Sequence, residues 1–230
     1  MGGPTVFEPF LRSYLEHFKY RSIVTDDFKS YLSEYFFKKV HAPEICIRLT
    51  EVNWNGWLNT PGMPLIVPQY DTSLLNACVF LAKKWISAPE DLLVEGKMLF
   101  KQDDWKAFSP RQKKLFLIEL DEQTTGAGQR PLSPGKLHLL NELYRVREER
   151  NVEIATAWIL LGLHSQWKEV IADAIKLVSE VGRLKYTRPI YRALFQWPET
   201  KQMALNTFQA NRDRMMGLAV TAITAELQLK

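Results

Sequence analysis

Residues 59–71 read NTPGMPLIVPQYD, and this stretch divides the 230-residue chain into two parts. It holds three prolines and one glycine. Each proline disfavours the helical conformation at the residue before it. The pattern therefore predicts an extended linker and a domain boundary. On both sides of the linker, apolar residues recur at the three- and four-residue spacing that is typical of amphipathic helices.

Before the linker, this spacing predicts a helix from Pro4 to Phe18 and a second helix that begins near Thr25. Thr25 is the expected N-cap. Asp26 and Asp27 follow in the first turn, where negative charge favours the helix dipole. A short helix is expected within residues 51–58 because two tryptophans and a leucine lie close together there.

After the linker, eight helix-sized segments follow one another at short intervals, and no long stretch alternates with the period of a strand. Serine–proline pairs, an asparagine and single prolines mark expected helix starts. The sequence therefore predicts an all-α fold of short antiparallel helices, either an α-solenoid or a helical bundle. The expected segments are residues 72–86, 110–120, 134–144, 152–161, 167–181, 190–195, 198–208 and 211–227.

The composition argues against several classes of protein. Lys and Arg number 30 against 26 Asp and Glu, and the charges are interspersed rather than arranged in the one-sided basic stripe of a nucleic-acid-binding protein. No run of 18 apolar residues occurs, so no membrane span is expected. The N-terminus has no basic region followed by an apolar core, so no signal peptide is expected. The two cysteines, Cys46 and Cys78, lack metal-site spacing and are interpreted as reduced core thiols.

Motifs for hydrolytic or phosphate chemistry are missing from the chain. It contains no HExxH, no GxSxG and no phosphate-binding loop. Each of the four histidines, His17, His41, His138 and His164, is interpreted as a surface or half-buried side chain rather than a metal ligand. We therefore predict no catalytic residue, no metal ligand and no cofactor in this chain. The seven tryptophans are interpreted as core residues rather than as an aromatic cage.

The stretch GRLKYTRP at residues 182–189 is the strongest candidate for a binding site. Gly182 is placed to end one helix in a left-handed conformation, and Pro189 is placed to start the next. In an extended segment between them, Arg183 and Lys185 would point to one side. A guanidinium and an ammonium together could hold a carboxylate. The residues alone leave two interpretations open, an anion site and a solvated basic turn.

Four stretches of the chain resemble the C-terminal portion of the leukotriene A4 hydrolase and aminopeptidase B family of zinc aminopeptidases. The linker pattern and the Gly-Arg-x-Lys-aromatic-Thr-x-Pro pattern are the most specific parts of this resemblance. The matching stretches are GGPTVFEPFLRSYLEHFKYRSIVTDDFKSYL, WNGWLNTPGMPLIVPQYD, SLLNACVFLAKKW and GRLKYTRPIY.

The resemblance implies a domain assignment and a role for two residues. Residues 1–66 look like the last helices of a thermolysin-like catalytic domain. Residues 67–230 look like the C-terminal helical domain, a two-layer, armadillo- or HEAT-like solenoid. In the family, the Arg and Lys of the motif line the substrate cleft and bind the carboxylate of a peptide or lipid epoxide. By motif match these are Arg183 and Lys185.

The resemblance also implies what this chain lacks. The zinc ligands of the family lie upstream of Met1, so the isolated chain is expected to be inactive and to pair with an upstream catalytic domain in the cytoplasm. Two alternatives stay open from the sequence. One is a non-catalytic helical scaffold that binds a protein partner. The other is a nucleic-acid-binding helical protein, which the mild basicity allows but no segment localises.

Overall fold

The computed structural model describes residues 3–39, 42–90, 99–126 and 128–229. These residues form helices and no strand, and they divide into two compact units at Gln69 and Tyr70. The thirteen α-helices of the described residues are α1 (Pro4–Phe18), α2 (Thr25–Glu34), α3 (Pro43–Thr50), α4 (Trp54–Asn59), α5 (Ser73–Ser87), α6 (Gln102–Lys106), α7 (Pro110–Thr125), α8 (Pro134–Tyr144), α9 (Val152–His164), α10 (Ile171–Glu180), α11 (Leu184–Gln196), α12 (Lys201–Asn211) and α13 (Gly217–Glu226).

The first unit, residues 1–69, is built around an aromatic core. Phe10 of α1 is fully buried, and its ring lies 5.5 Å from the ring of Phe36. The predicted helix from Pro4 to Phe18 is confirmed at both ends. The predicted cap of α2 is wrong by one residue, because Val24 is the N-cap and Thr25 is already helical. The carboxylate of Asp27 instead accepts the backbone N–H of Val24 at 2.9 Å.

In the second unit, residues 70–230, four helices lie side by side and run in the same direction. α5 packs on α7, α7 on α9, and α9 on α11. Gln112, in the first turn of α7, donates to the carbonyl of Leu74 near the start of α5 at 3.3 Å. A carboxylate at the start of α9 contacts side chains at the starts of α7 and α11. The N-terminal ends of these helices therefore lie at the same edge of the layer.

The second layer of this unit contains helices that run back between them. α8 begins where α5 ends, because Lys136 of α8 donates to the carbonyl of Ile86 at 2.7 Å. α10 packs on α9, α11 and α12. Consecutive helices thus alternate between two layers. The predicted all-α architecture of antiparallel helices in a two-layer, armadillo- or HEAT-like solenoid is confirmed.

Buried aromatic side chains hold the second unit together. Trp85 is fully buried, stacks on Phe100 at 3.9 Å between ring centroids, and donates its indole N–H to Tyr144 at 3.1 Å. Burial raises the pKa of the Tyr144 hydroxyl well above its usual range. Trp105, Trp158, Trp167 and Trp197 are also buried, as predicted. In the first unit, Trp57 is 46% exposed, so the core interpretation is wrong for that residue.

Most helix starts follow the predicted caps. The hydroxyl oxygen of Ser109 accepts the backbone N–H of Gln112 at the start of α7, and Ser133 and Asn151 cap α8 and α9 in the same manner. The segment predicted at residues 167–181 is an exception. A 3₁₀ turn at Lys168–Val170 comes first, and α10 begins only at Ile171. The last two helices begin a few residues later than predicted.

Gly162 gives the first prediction because α9 passes very close to the 3₁₀ turn that follows it. A methyl group at Gly162 would lie 2.8 Å from Val170, which is fully buried and cannot move away. Alanine is favoured over glycine in a helix by about 1 kcal/mol. Overpacking usually costs about 1–3 kcal/mol. We therefore expect Gly162→Ala to lower the free energy of unfolding, measured by chemical denaturation.

Gly217→Ala is the matched control because nothing lies within 4 Å of a methyl group there. That variant should be as stable as the unaltered chain. A Gly162→Ala variant with unchanged stability would show that the approach of α9 to the turn is looser than described.

Candidate carboxylate-binding site

The candidate site begins with a short break between two helices. α10 ends at Glu180, Val181 and Arg183 have extended backbone angles, and α11 begins at Leu184. The prediction of an extended segment from Gly182 to Pro189 is therefore wrong. Gly182 is also not in the left-handed conformation that was predicted for it.

Pro189 lies inside α11 rather than at its start. A proline within a helix removes one backbone hydrogen bond and costs about 3 kcal/mol or more. Tertiary packing offsets this cost, because Tyr186, Ile190 and Leu194 fall on one face of α11 and are all buried. The spacing of these residues predicts a helix that continues through the proline. The sequence analysis instead started the helix at Pro189, because proline is common at helix starts.

Arg183 and Lys185 are nevertheless brought together, around a buried tyrosine that the sequence analysis did not select. The guanidinium carbon of Arg183 lies 5.6 Å from the ring centroid of Tyr186, and the Nζ atom of Lys185 lies 5.4 Å from the same ring. Both distances are within the range of a cation–π interaction. The side chain of Tyr186 therefore fixes the position of both cations.

A glutamate at the start of α9 completes the cluster. One carboxylate oxygen of Glu153 binds the Nζ atom of Lys185 and accepts the hydroxyl of Tyr186 at 2.8 Å. The other oxygen binds the Nζ atom of Lys114 in α7. Neither Glu153 nor Lys114 was selected from the sequence, because their sequence separations from Lys185 are large and no local motif links them. The one sequence feature that could have pointed to Glu153 was its position in the first turn of a helix, two residues after the Asn151 cap.

The electrostatic field of this cluster favours anions. Hydrogen bonds from Lys114, Lys185 and Tyr186 lower the pKa of Glu153 to about 2. Lys114 and Lys185 both bind this carboxylate, and Arg183 lies over the ring of Tyr186, which donates to it. The N-termini of α7, α9 and α11 add partial positive charge at the same edge of the helix layer. The cluster therefore has a net positive charge that a further carboxylate can balance.

The remaining arginines of this helix are occupied elsewhere. Arg188 and Arg192 both bind the carboxylate of Glu226 in α13, with nitrogen–oxygen distances of 2.6 Å. These two hydrogen bonds lower the pKa of Glu226 to about 2. Arg188 is therefore not part of the candidate site, although it belongs to the same GRLKYTRP motif. Arg183 has no anionic partner among the described residues.

The structure places the histidines away from any metal-like cluster. Within the described ranges, no three His, Cys, Asp or Glu side chains are close enough to hold one metal ion. The described residues therefore do not fit a zinc ion. His17 stacks on Tyr31, His138 lies 3.9 Å from Glu169, His164 contacts Asp121 at 2.9 Å, and His41 lies outside the described residues. Both cysteines are free thiols.

The fold and the cluster together describe a two-layer α-helical domain that carries a cationic site at one edge. Comparison with known proteins identifies its family. The family model for the C-terminal region of leukotriene A4 hydrolase matches residues 108–227. The chain therefore belongs to the leukotriene A4 hydrolase C-terminal family. No helix in the described part of the chain is both long enough and apolar enough to cross a membrane.

Individual relatives agree with this assignment. Leukotriene A-4 hydrolase from Xenopus laevis is 34% identical over 100% of this chain and 35% of its own length. Leucine aminopeptidase 2 from Aspergillus terreus is 31% identical over 92% of this chain and 32% of its own length. Native leukotriene A4 hydrolase from yeast superposes with a TM-score of 0.84 at 27% identity, over 99% of this chain and 36% of that structure. The chain thus spans about a third of the length of these relatives.

The lowered pKa of Glu153 gives a prediction about acid stability. Because its folded-state pKa is about 2 and its ordinary value is 4.5, the unfolded chain binds more protons between those values. The stabilisation from Glu153 is complete above pH 4.5 and is lost as the pH falls towards 2. We expect Glu153→Gln to flatten the fall in the free energy of unfolding across this window, measured by urea denaturation at stepwise pH.

Glu180→Gln is a suitable control, since it changes an exposed carboxylate with no ion pair in the described part of the chain. If Glu153→Gln and the unaltered chain lose stability in parallel from pH 4.5 to 2, the contacts to Lys114, Lys185 and Tyr186 do not hold the carboxylate ionised in solution.

Proposed function

We propose that this chain forms one wall of the substrate cleft in a zinc aminopeptidase or leukotriene A4 hydrolase-like enzyme. In this proposal Arg183 and Lys185 anchor the carboxylate of the substrate, which is a peptide or a lipid epoxide. The observation that carries the proposal is the convergence of Lys114, Arg183 and Lys185 on one edge of the domain, where Glu153 is the one carboxylate that pairs with them among the described residues.

The two anchoring residues differ in the donors that they can offer. The guanidinium of Arg183 has five N–H donors and no anionic partner among the described residues, so it can bind a carboxylate through two parallel hydrogen bonds. Lys185 already gives one hydrogen bond to Glu153 and keeps two N–H donors. Arg183 is therefore the principal anchor, and Lys185 is a second donor whose position is fixed by Glu153.

The anchor contributes to catalysis by positioning. A carboxylate fixed at one end of a substrate determines which bond reaches the reacting groups, and a displacement of about 1 Å can cost a hundredfold in rate. The reacting groups would come from an upstream catalytic domain, and the described residues hold no group of three or more His, Cys, Asp or Glu side chains that could bind a metal ion. We propose that this upstream domain is the partner of the chain and that the isolated chain is catalytically inactive.

Exposed apolar side chains support the existence of such a partner. In the second unit, Leu74 and Phe80 of α5 are 66% and 71% exposed. In the first unit, Ile47 and Leu58 are 60% and 51% exposed. Single exposed apolar residues are ordinary on protein surfaces, so these residues are consistent with a covering domain and do not by themselves define the surface that it covers.

The anchor can be tested by direct binding to the 230-residue chain. N-acetylglycine presents a carboxylate without a side chain, and N-acetylglycinamide is the neutral match. We expect N-acetylglycine to bind and the amide not to bind, measured by chemical-shift titration. Arg183→Gln should weaken binding by about tenfold or more, because a hydrogen bond to a charged group contributes about 1.5–3 kcal/mol.

Arg188→Gln is the matched control, because Arg188 lies in the same motif but binds Glu226. This variant should bind N-acetylglycine as the unaltered chain does. Both variants should keep the free energy of unfolding within about 1 kcal/mol, since exposed ion pairs contribute little to stability. Equal binding of N-acetylglycine and its amide would contradict the proposed anchor.

The activity of the isolated chain is a second test. We expect no release of arylamine from aminoacyl arylamides by the chain alone, with or without added zinc, because its described residues offer no metal site. Leucine aminopeptidase 2 from Aspergillus terreus is the positive control for the assay. Activity that elutes with the chain and disappears on chelation of zinc would contradict the proposal.

A further inference from the structure

An apolar groove of about 180 Å³ lies directly beside the cationic cluster. Its apolar lining is Ile118 of α7, Ala157 and Leu160 of α9, and Pro189 of α11. The cluster itself also contributes to the lining through Lys114, Glu153, Lys185 and Tyr186. The groove and the cluster thus share the same three helices. If the carboxylate of a ligand residue binds Lys185, the side chain of that same residue can reach the apolar groove.

Helical spacing explains why charge gives way to apolar surface here. Glu153, Ala157 and Leu160 are separated by four and three residues, so they lie on one face of α9 from its first turn onwards. Glu153 binds the lysines at the start of the helix, and the two apolar residues follow one and two turns later along the same face. The site therefore has a charged end and an apolar end.

Thr156 adds a polar group whose hydrogen bonds are not used within the chain. Its side chain lines the groove, the residue is 7% exposed, and its hydroxyl has no hydrogen-bond partner among the described residues. Buried hydroxyls are nearly always paired, and a threonine in a helix can use either of two χ1 rotamers. Rotation about χ1 can turn this hydroxyl towards an amide group of a ligand.

We propose that this groove is a subsite for an apolar side chain on the C-terminal residue of a peptide, with Thr156 hydrogen-bonding the amide of that residue. The inference rests on the proposed function, because the carboxylate of the same residue must be held by Arg183 and Lys185. The groove has room for one branched or aromatic side chain. An apolar side chain gains affinity from Ile118, Ala157, Leu160 and Pro189, whereas a charged side chain must lose water against the same residues.

The test compares ligands that share the carboxylate and differ in the side chain. N-acetyl-leucine should bind to the 230-residue chain at least about tenfold more tightly than N-acetylglycine, since each methylene in an apolar pocket contributes about tenfold or more. N-acetylaspartate should bind no more tightly than N-acetylglycine. Hexanoate has a carboxylate and an apolar chain but no amide, so it distinguishes a lipid from a peptide.

Three variants separate the subsite from the anchor. Ala157→Val narrows the groove and should reduce the preference for N-acetyl-leucine while N-acetylglycine binds unchanged. Thr156→Val keeps the shape of the side chain and should weaken the binding of N-acetyl-leucine more than the binding of hexanoate. Ala155→Val is the matched control, because Ala155 lies on another face of α9. This variant should change the affinity for neither ligand.

The outcomes distinguish failure of the subsite from failure of the anchor. If N-acetyl-leucine and N-acetylglycine bind equally and both require Arg183, the subsite is overturned and the proposed anchor stands. If neither ligand binds, the proposed anchor and the subsite both fail. If hexanoate binds more tightly than N-acetyl-leucine and Thr156→Val has no effect, the groove holds a lipid chain and the peptide assignment is overturned.

Discussion

The carboxylate of Glu153 is the contact on which the arrangement of the candidate site depends. It binds Lys114 of α7, and Lys185 and Tyr186 of α11, so a single side chain on α9 joins the first turns of three helices. This is possible only because the three helices begin at the same edge of one layer. Parallel packing within a layer, with the return helices in a second layer, is therefore what creates a cationic edge in this domain.

The Glu153 contacts fix the positions of Lys114, Lys185 and Tyr186, and their contribution to stability is modest and depends on pH. Ion pairs that remain in contact with solvent contribute little net free energy, since each charge loses little hydration and the Coulomb attraction between the charges is weakened by water. The buried aromatic core, with Trp85 stacked on Phe100 and bonded to Tyr144, supplies the rigid frame. A rigid frame and a weakly stabilising polar cluster suit a binding site, because an incoming anion can share Lys185 with Glu153 without disturbing the core.

The sequence predicted those parts of the structure that local interactions determine. Serine–proline and asparagine caps placed the starts of α7, α8 and α9 correctly because a cap satisfies backbone groups within three residues of itself. The start of α11 was misplaced because the proline signal is local, whereas the packing of Tyr186 and Ile190 that overrides it is tertiary. The pairing of Lys114 with Glu153 has no local signature at all. Resemblance to a family identified Arg183 and Lys185 but not the residues that hold them in place.

The GRLKYTRP motif contains three cations, and the structure gives each a different partner. Arg188 is committed to Glu226 in α13. Lys185 is shared with Glu153. Arg183 lies at the N-cap position, outside the helix, and rests against Tyr186 without an anion among the described residues. A solvated basic turn would leave all three cations in similar surroundings. Two of these cations are bound to carboxylates of the chain, and the third lies against an aromatic ring beside the N-terminal edge of the helices, so the proposed anion anchor rests chiefly on Arg183.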